Sequence, residues 1–208
     1  MVVYDTQKQY WFGLGIPFVP FATVQSISRN SVNGTNYLCI AGSFNFTISG
    51  FVYTSVAFYN LDTSSWAPYT VAPFDSASPF ELPNIYDALF SNSGTVYVGG
   101  DLHYDQYSTA AGVASYNIFN PSSFSPFPQV YANVRNLAFA TNNTISNPTL
   151  FACGMLNIGA NTPGLIYFSD VDYPQGGTWA QAGRGNLFYN YFSGYGYNLI
   201  QSDGSKGI

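Results

Sequence analysis

Few residues in this chain could do chemistry, and their scarcity limits what that chemistry could be. Of 208 residues, ten are Asp or Glu, five are Lys or Arg and one is His. The single histidine, His103, excludes a metal site built on clustered imidazoles. A Ser-His-Asp relay would have to draw Ser108, Asp101 or Asp105 onto His103 from nearby sequence, and such neighbours seldom reach the required geometry. Paired carboxylates are the remaining catalytic option, because two acids about 5 to 9 Å apart can hydrolyse a glycosidic bond. Glu81, the one glutamate, lies in a stretch with Pro73, Pro79 and Pro83 and reads first as a solvated loop residue. No catalytic residue is assigned.

The binding residues are equally sparse. Asp101 and Asp105 are candidate ligand contacts, and Asp170 with Asp172 could hold a calcium ion together with backbone carbonyls. No other cofactor is expected. The aromatic tail offers Tyr191, Tyr195 and Tyr197, whose rings carry a hydroxyl and suit carbohydrate or protein contact. Arg29, Arg135 and Arg184 are the only arginines, and the first two are expected to pair with carboxylates of neighbouring structural units. Cys39 and Cys153 fall in apolar runs and read as buried thiols, with one disulfide as the alternative. Asn33, Asn45 and Asn142 head Asn-x-Ser/Thr triplets and permit glycosylation.

Composition sets the background for these residues. Apolar residues make up 47% and aromatics 19%, while charged residues are 7%, against roughly 25% in an average soluble domain. So apolar a chain has much to bury, which argues against disorder. Five basic residues cannot build a phosphate-binding stripe, so nucleic acid is excluded as a partner. No apolar run reaches the length of a membrane-spanning helix. A surface poor in Lys and Glu reads as extracellular, and since no signal segment is visible the chain is expected to be a mature form or a fragment.

Positioning falls to short elements that recur. Apolar runs end near Gly42, Gly100, Gly154 and Gly204, at spacings of 58, 54 and 50 residues. After the first three comes a second run: Val56–Asn60, Val113–Asn117, Leu165–Asp170. Val2–Asp5 opens the chain with the same element, and Trp11, Trp66 and Trp179 trail three of these runs. Residues 24–28, 86–90, 135–139 and 186–189 form a third element ahead of each glycine. All are rich in Val, Ile, Tyr and Phe and are bounded by Gly, Pro, Asn and Ser, as strands require. No window sustains a 3.6-residue period, so almost no helix is expected. Asn33-Gly34, Ser93-Gly94 and Asp203-Gly204 are candidate turns.

The expectation is an all-β chain of β-propeller blades, each of about four antiparallel strands. One region spans 1–208, with units near 22–68, 85–127 and 134–181 and half units at 1–12 and 186–208. Pairing of the two halves would give a closed four-bladed ring; without it the chain is a piece of a larger propeller. Marker glycines would let inner strands crowd an axis while aromatics fill the outer gaps. A plain β-sandwich is the alternative.

Ala41-Gly42-Ser43-Phe44, followed by Val56-Ala57-Phe58-Tyr59-Asn60 and Trp66, resembles a blade of the kelch or galactose-oxidase type. It is most similar to the repeats of fungal cell-surface polarity markers. Gly99-Gly100-Asp101-Leu102 with Val113-Ala114-Ser115-Tyr116-Asn117 is the second copy, and Cys153 departs from the pattern in the third. The resemblance implies a propeller from a surface protein. The oxidase chemistry does not carry over, because it needs several histidines. The functional expectation is a non-enzymatic extracellular structural or recognition propeller contacting protein partners or identical copies. A carbohydrate-binding propeller and a glycan-cleaving enzyme are the alternatives.

Overall fold

In the computed structural model, the residues described are 2–6, 9–16, 22–68, 84–102, 111–127, 133–140, 149–155, 165–168 and 179–181. They form fourteen strands and, among themselves, no helix. Strands β1 (Val2–Asp5) and β2 (Tyr10–Gly13) make a two-stranded sheet. The first four-stranded sheet holds β3 (Thr23–Val32), β4 (Thr35–Ile48), β5 (Phe51–Asn60) and β6 (Ser65–Trp66). The second holds β7 (Asn84–Phe90), β8 (Thr95–Leu102), β9 (Ala111–Asn117) and β10 (Asn120–Pro126). The third holds β11 (Asn133–Ala140), β12 (Thr149–Met155), β13 (Leu165–Phe168) and β14 (Trp179–Gln181). Each four-stranded sheet is an antiparallel meander whose strands lie in chain order.

Local chemistry explains the hairpins. Asn33 and Gly34 both take positive φ, 50° and 80°, the combination that a two-residue turn between twisted strands requires. Ser49 and Gly50 repeat it at 53° and 84°. Along β4, Leu38 and Ile40 face one side while Tyr37, Cys39 and Ala41 face the other, so the strand is apolar on both faces.

Both-sided burial makes the sheets stack. One core joins Cys39, Ala41, Val56 and Phe58 of the first sheet to Ile85, Ala88, Val96 and Val98 of the second. The next joins Tyr97 and Val113 to Val134, Leu137, Leu150 and Ala152 of the third. We call the side of each sheet turned toward the preceding sheet its leading face. On the leading face of the first sheet, Leu14 and Ile16 pack over Ile40, Phe44, Phe46, Tyr53 and Tyr59. Trp66 closes this cluster: its indole N–H donates to Leu14 O at 2.8 Å, and its ring centroid lies 5.3 Å from Phe46 and 5.2 Å from Tyr59. Trp66→Phe should lower the unfolding free energy by about 1 to 2 kcal/mol, through the lost hydrogen bond and thinner ring packing, as urea denaturation would read.

The sheets share one irregularity. In β3, β7 and β11 a bulge leaves Gln25, Tyr86 and Arg135 without a cross-strand partner. Gly42, Gly100 and Gly154 pair with the residue just before each bulge, namely Val24, Ile85 and Val134. At Gly42 a Cβ would collide with the carbonyl oxygen of Thr23, and at Gly100 with that of Asn84. The hairpin β4–β5 also outruns its sheet. Pairing with β3 stops at Ser43, and β6 reaches only Tyr59 and Asn60, so Asn45–Ile48 and Phe51–Thr54 continue as a two-stranded ribbon.

The propeller expectation is corrected by this architecture. The described strands form three separate four-stranded sheets and a fourth of two strands, none closed and with unequal strand lengths. A ring needs every sheet covered on both faces, whereas the first sheet leaves part of its leading face open, with Ile27 54% exposed. Neither a closed four-bladed ring nor a run of uniform blades describes the chain. What stands is an all-β chain of antiparallel sheets.

Candidate functional site

Most of the chemistry-bearing side chains singled out from sequence lie outside the described residues: Glu81, His103, Asp105, Ser108, Asn142, Asp170, Asp172, Arg184, Tyr191, Tyr195 and Tyr197, as does the marker Gly204. Trp11 and Trp179 fall on β2 and β14, where Trp11 pairs with Tyr4 and Trp179 with Phe168, as Trp66 does with Tyr59. Asp101 is half-buried at the end of β8, opposite Asn84. Asn33 and Asn45 are exposed, one in a turn and one on the ribbon. Cys39 and Cys153 are both buried and neither forms a disulfide. Burial pushes both thiols up, Cys153 to about 12, with the Asp87 carboxylate adding to the shift. Arg29 draws electrostatically on the exposed Asp62, whose carboxyl is held below its ordinary value mainly by hydrogen bonds from Asn36. Arg135 has no carboxylate partner among the described residues; Tyr86 takes that place. Among the described residues, no helix is long and apolar enough to cross a membrane.

The arrangement that sequence reasoning missed centres on Asp87, a buried carboxylate on β7. Ser26 of β3 donates its hydroxyl to Asp87 Oδ1 at 2.5 Å, and the Ala88 N–H donates to the same oxygen at 2.9 Å. The Leu137 N–H of β11 donates to Oδ2 at 2.8 Å. One side chain therefore fastens the first strands of three sheets. Burial raises the carboxyl pKa, and these three donors only partly oppose it. Ser28 and Asn30 extend the seam along β7, donating to Ala88 O at 2.9 Å and Phe90 O at 2.6 Å. A signal for this seam exists in the sequence. Ser26, Asp87 and Asn136 take the same place after the bulge, and each is a small polar residue inside an otherwise strand-like run.

The leading faces of the sheets differ in one respect. Val24 and Ile27 occupy the positions that Ile85 and Ala88 take in the second sheet and Val134 and Leu137 in the third. Ile85, Ala88, Val134 and Leu137 are at most 3% exposed, whereas Val24 is 44% and Ile27 54% exposed. Leu14 and Ile16 cover the outer half of this face and leave the β3 side open. Arg29, two residues beyond Ile27 on the same strand, borders the open part.

No protein-family model and no curated protein matches this chain. The kelch, galactose-oxidase and polarity-marker resemblance is withdrawn, because the described strands form separate, unclosed sheets and no family supports it. The structural, lectin-like and glycan-cleaving readings all placed their sites on a propeller, and they fall with the propeller.

Proposed function

We propose that this region is an association unit that joins a second copy of the chain across the open leading face of its first sheet. The observation that carries this reading is the contrast just described: Val24 and Ile27 stand exposed at positions whose counterparts are buried by a neighbouring β-sheet. Val24 and Ile27 lie on the same face of β3, and exposed apolar surface that is contiguous rather than scattered marks interaction sites. Two open leading faces brought together about a two-fold axis would each cover the other's Val24 and Ile27, which makes a second copy the partner of matching chemistry. Burying a Val or Ile side chain contributes roughly 1.5 to 3 kcal/mol, so two from each copy supply a useful share of a dimer's affinity. Little charge opposes self-association, since only fifteen residues of 208 are charged. Arg29 and Asp62, of opposite sign and within electrostatic reach of each other, can be matched by their symmetric counterparts.

Sedimentation velocity over a range of protein concentrations tests the reading. The wild-type chain is expected to show a concentration-dependent dimer. Ile27→Asp should leave a folded monomer whose unfolding midpoint matches that of the wild type at protein concentrations too low for dimerisation, because an exposed site tolerates substitution to within about 0.5 kcal/mol. A wild-type chain that stays monomeric at all concentrations, or an Ile27→Asp variant that still dimerises, would overturn it.

A further inference from the structure

We infer that Tyr86 and Arg135 form a binding site for a carboxylate-bearing small molecule, separate from the association face. Both are bulge residues, and a bulge re-aims a side chain out of the regular alternation of a strand. Tyr86 sits on β7 and Arg135 on β11, each immediately before a residue of the Asp87 seam or its equivalent. Leu137, two residues past Arg135, donates its N–H to Asp87, next in sequence to Tyr86. That bond fixes the two bulges side by side. The consequence is a stack: the Arg135 guanidinium carbon lies 3.9 Å from the centre of the Tyr86 ring.

This geometry leaves the guanidinium poised. Ring contact covers one face of the cation, orients it and strips part of its water. It uses none of the N–H donors, which lie in the guanidinium plane and point outward along its edge. Tyr86 is the only partner of Arg135 among the described residues. An in-plane fork of this kind matches the two oxygens of a carboxylate through parallel hydrogen bonds. Gln25, exposed at the corresponding bulge of β3, continues the row and adds an amide that can both donate and accept. The half-buried Tyr86 ring offers an apolar edge beside the fork, so the ligand of best fit carries its carboxylate on a small flat apolar body.

Benzoate is the probe, with benzamide as its neutral counterpart and inorganic phosphate as the competing oxyanion, followed by the Arg135 Nε–H resonance in nitrogen-labelled protein. Benzoate is expected to shift that resonance saturably with an affinity in the millimolar range, on the order of 4 kcal/mol of binding. Benzamide should give no saturable shift. Arg135→Lys should weaken benzoate about tenfold by losing the two-pronged contact. Arg135→Gln, read through the Tyr86 ring protons, should abolish binding while the unfolding midpoint stays put. Tyr86→Leu should weaken it, and Tyr86→Phe should preserve it. Absence of a saturable benzoate shift, equal binding by benzamide, tighter binding of phosphate than of benzoate, or retained binding in Arg135→Gln would each overturn the assignment. None of these readouts depends on dimerisation, which Ile27→Asp removes independently.

Discussion

Replacing Asp87 by Ala is expected to lower the unfolding free energy by about 3 to 5 kcal/mol, enough to unfold a marginal domain. The carboxylate accepts from the Ser26 hydroxyl and from the backbone N–H groups of Ala88 and Leu137, and these belong to three different sheets. Alanine would leave two buried backbone donors without an acceptor and would open a void beside them. Asp87→Asn should cost less, because the amide keeps one acceptor oxygen and turns only one bond into a donor-donor clash. The two variants also separate by pH. Burial raises the Asp87 pKa in the folded chain above the ordinary value of 3.8. The folded state therefore holds this proton more tightly than the unfolded state does. The contribution is fully present below the unfolded value and is lost as pH rises through the folded one. Wild type should thus lose stability relative to Asp87→Asn between about pH 3 and neutrality, in urea unfolding at matched ionic strength. A difference that does not change with pH would show that Asp87 ionises as freely in the fold as in the open chain.

Gly100→Ala should be comparably severe, at about 3 kcal/mol or more, beyond the usual range for an added methyl group. Its Cβ would land on the carbonyl oxygen of Asn84, with Ile85 Cα close behind at 3.1 Å, so backbone and not a movable side chain blocks it. Gly42→Ala meets the same obstacle at Thr23 and Val24. Gly99→Ala provides the contrast. There the nearest atom is Cγ1 of Val134 at 2.7 Å, on a side chain that can rotate, so the cost should be smaller and fall on the joint between the second and third sheets. Guanidinium unfolding of all three variants ranks them; a Gly99→Ala variant weaker than Gly100→Ala would contradict the backbone account.

How much of this was legible in advance depended on how local the signal was. Alternating and both-sided apolar runs mark β4, β8 and β12, and Asn33-Gly34 marks its hairpin, because these features are written in a few consecutive residues. Closure is not a local property. Glycines opposite bulges suit an open series of stacked sheets as well as a ring, since what they require is only a carbonyl pressed against the neighbouring strand. The stacking of Arg135 on Tyr86 was hidden for a related reason: charge bookkeeping overlooks the bulge that turns the side chain toward the ring. Asp87 was visible only as one acid among ten, because its meaning lies in donors 61 and 50 residues away.

The ribbon formed by the ends of β4 and β5 has its own implication. Beyond Ser43 neither of its long sides is hydrogen-bonded to another described strand, and Phe51 and Val52 are exposed near its tip, which gives it the character of a sheet edge among the described residues. Such a margin templates foreign strands and is where fibrillar misassembly would start. Asn45 stands on this stretch with its amide in solvent. A bulky hydrophilic adduct there would act as a gatekeeper, shielding the margin sterically without touching the stacked cores.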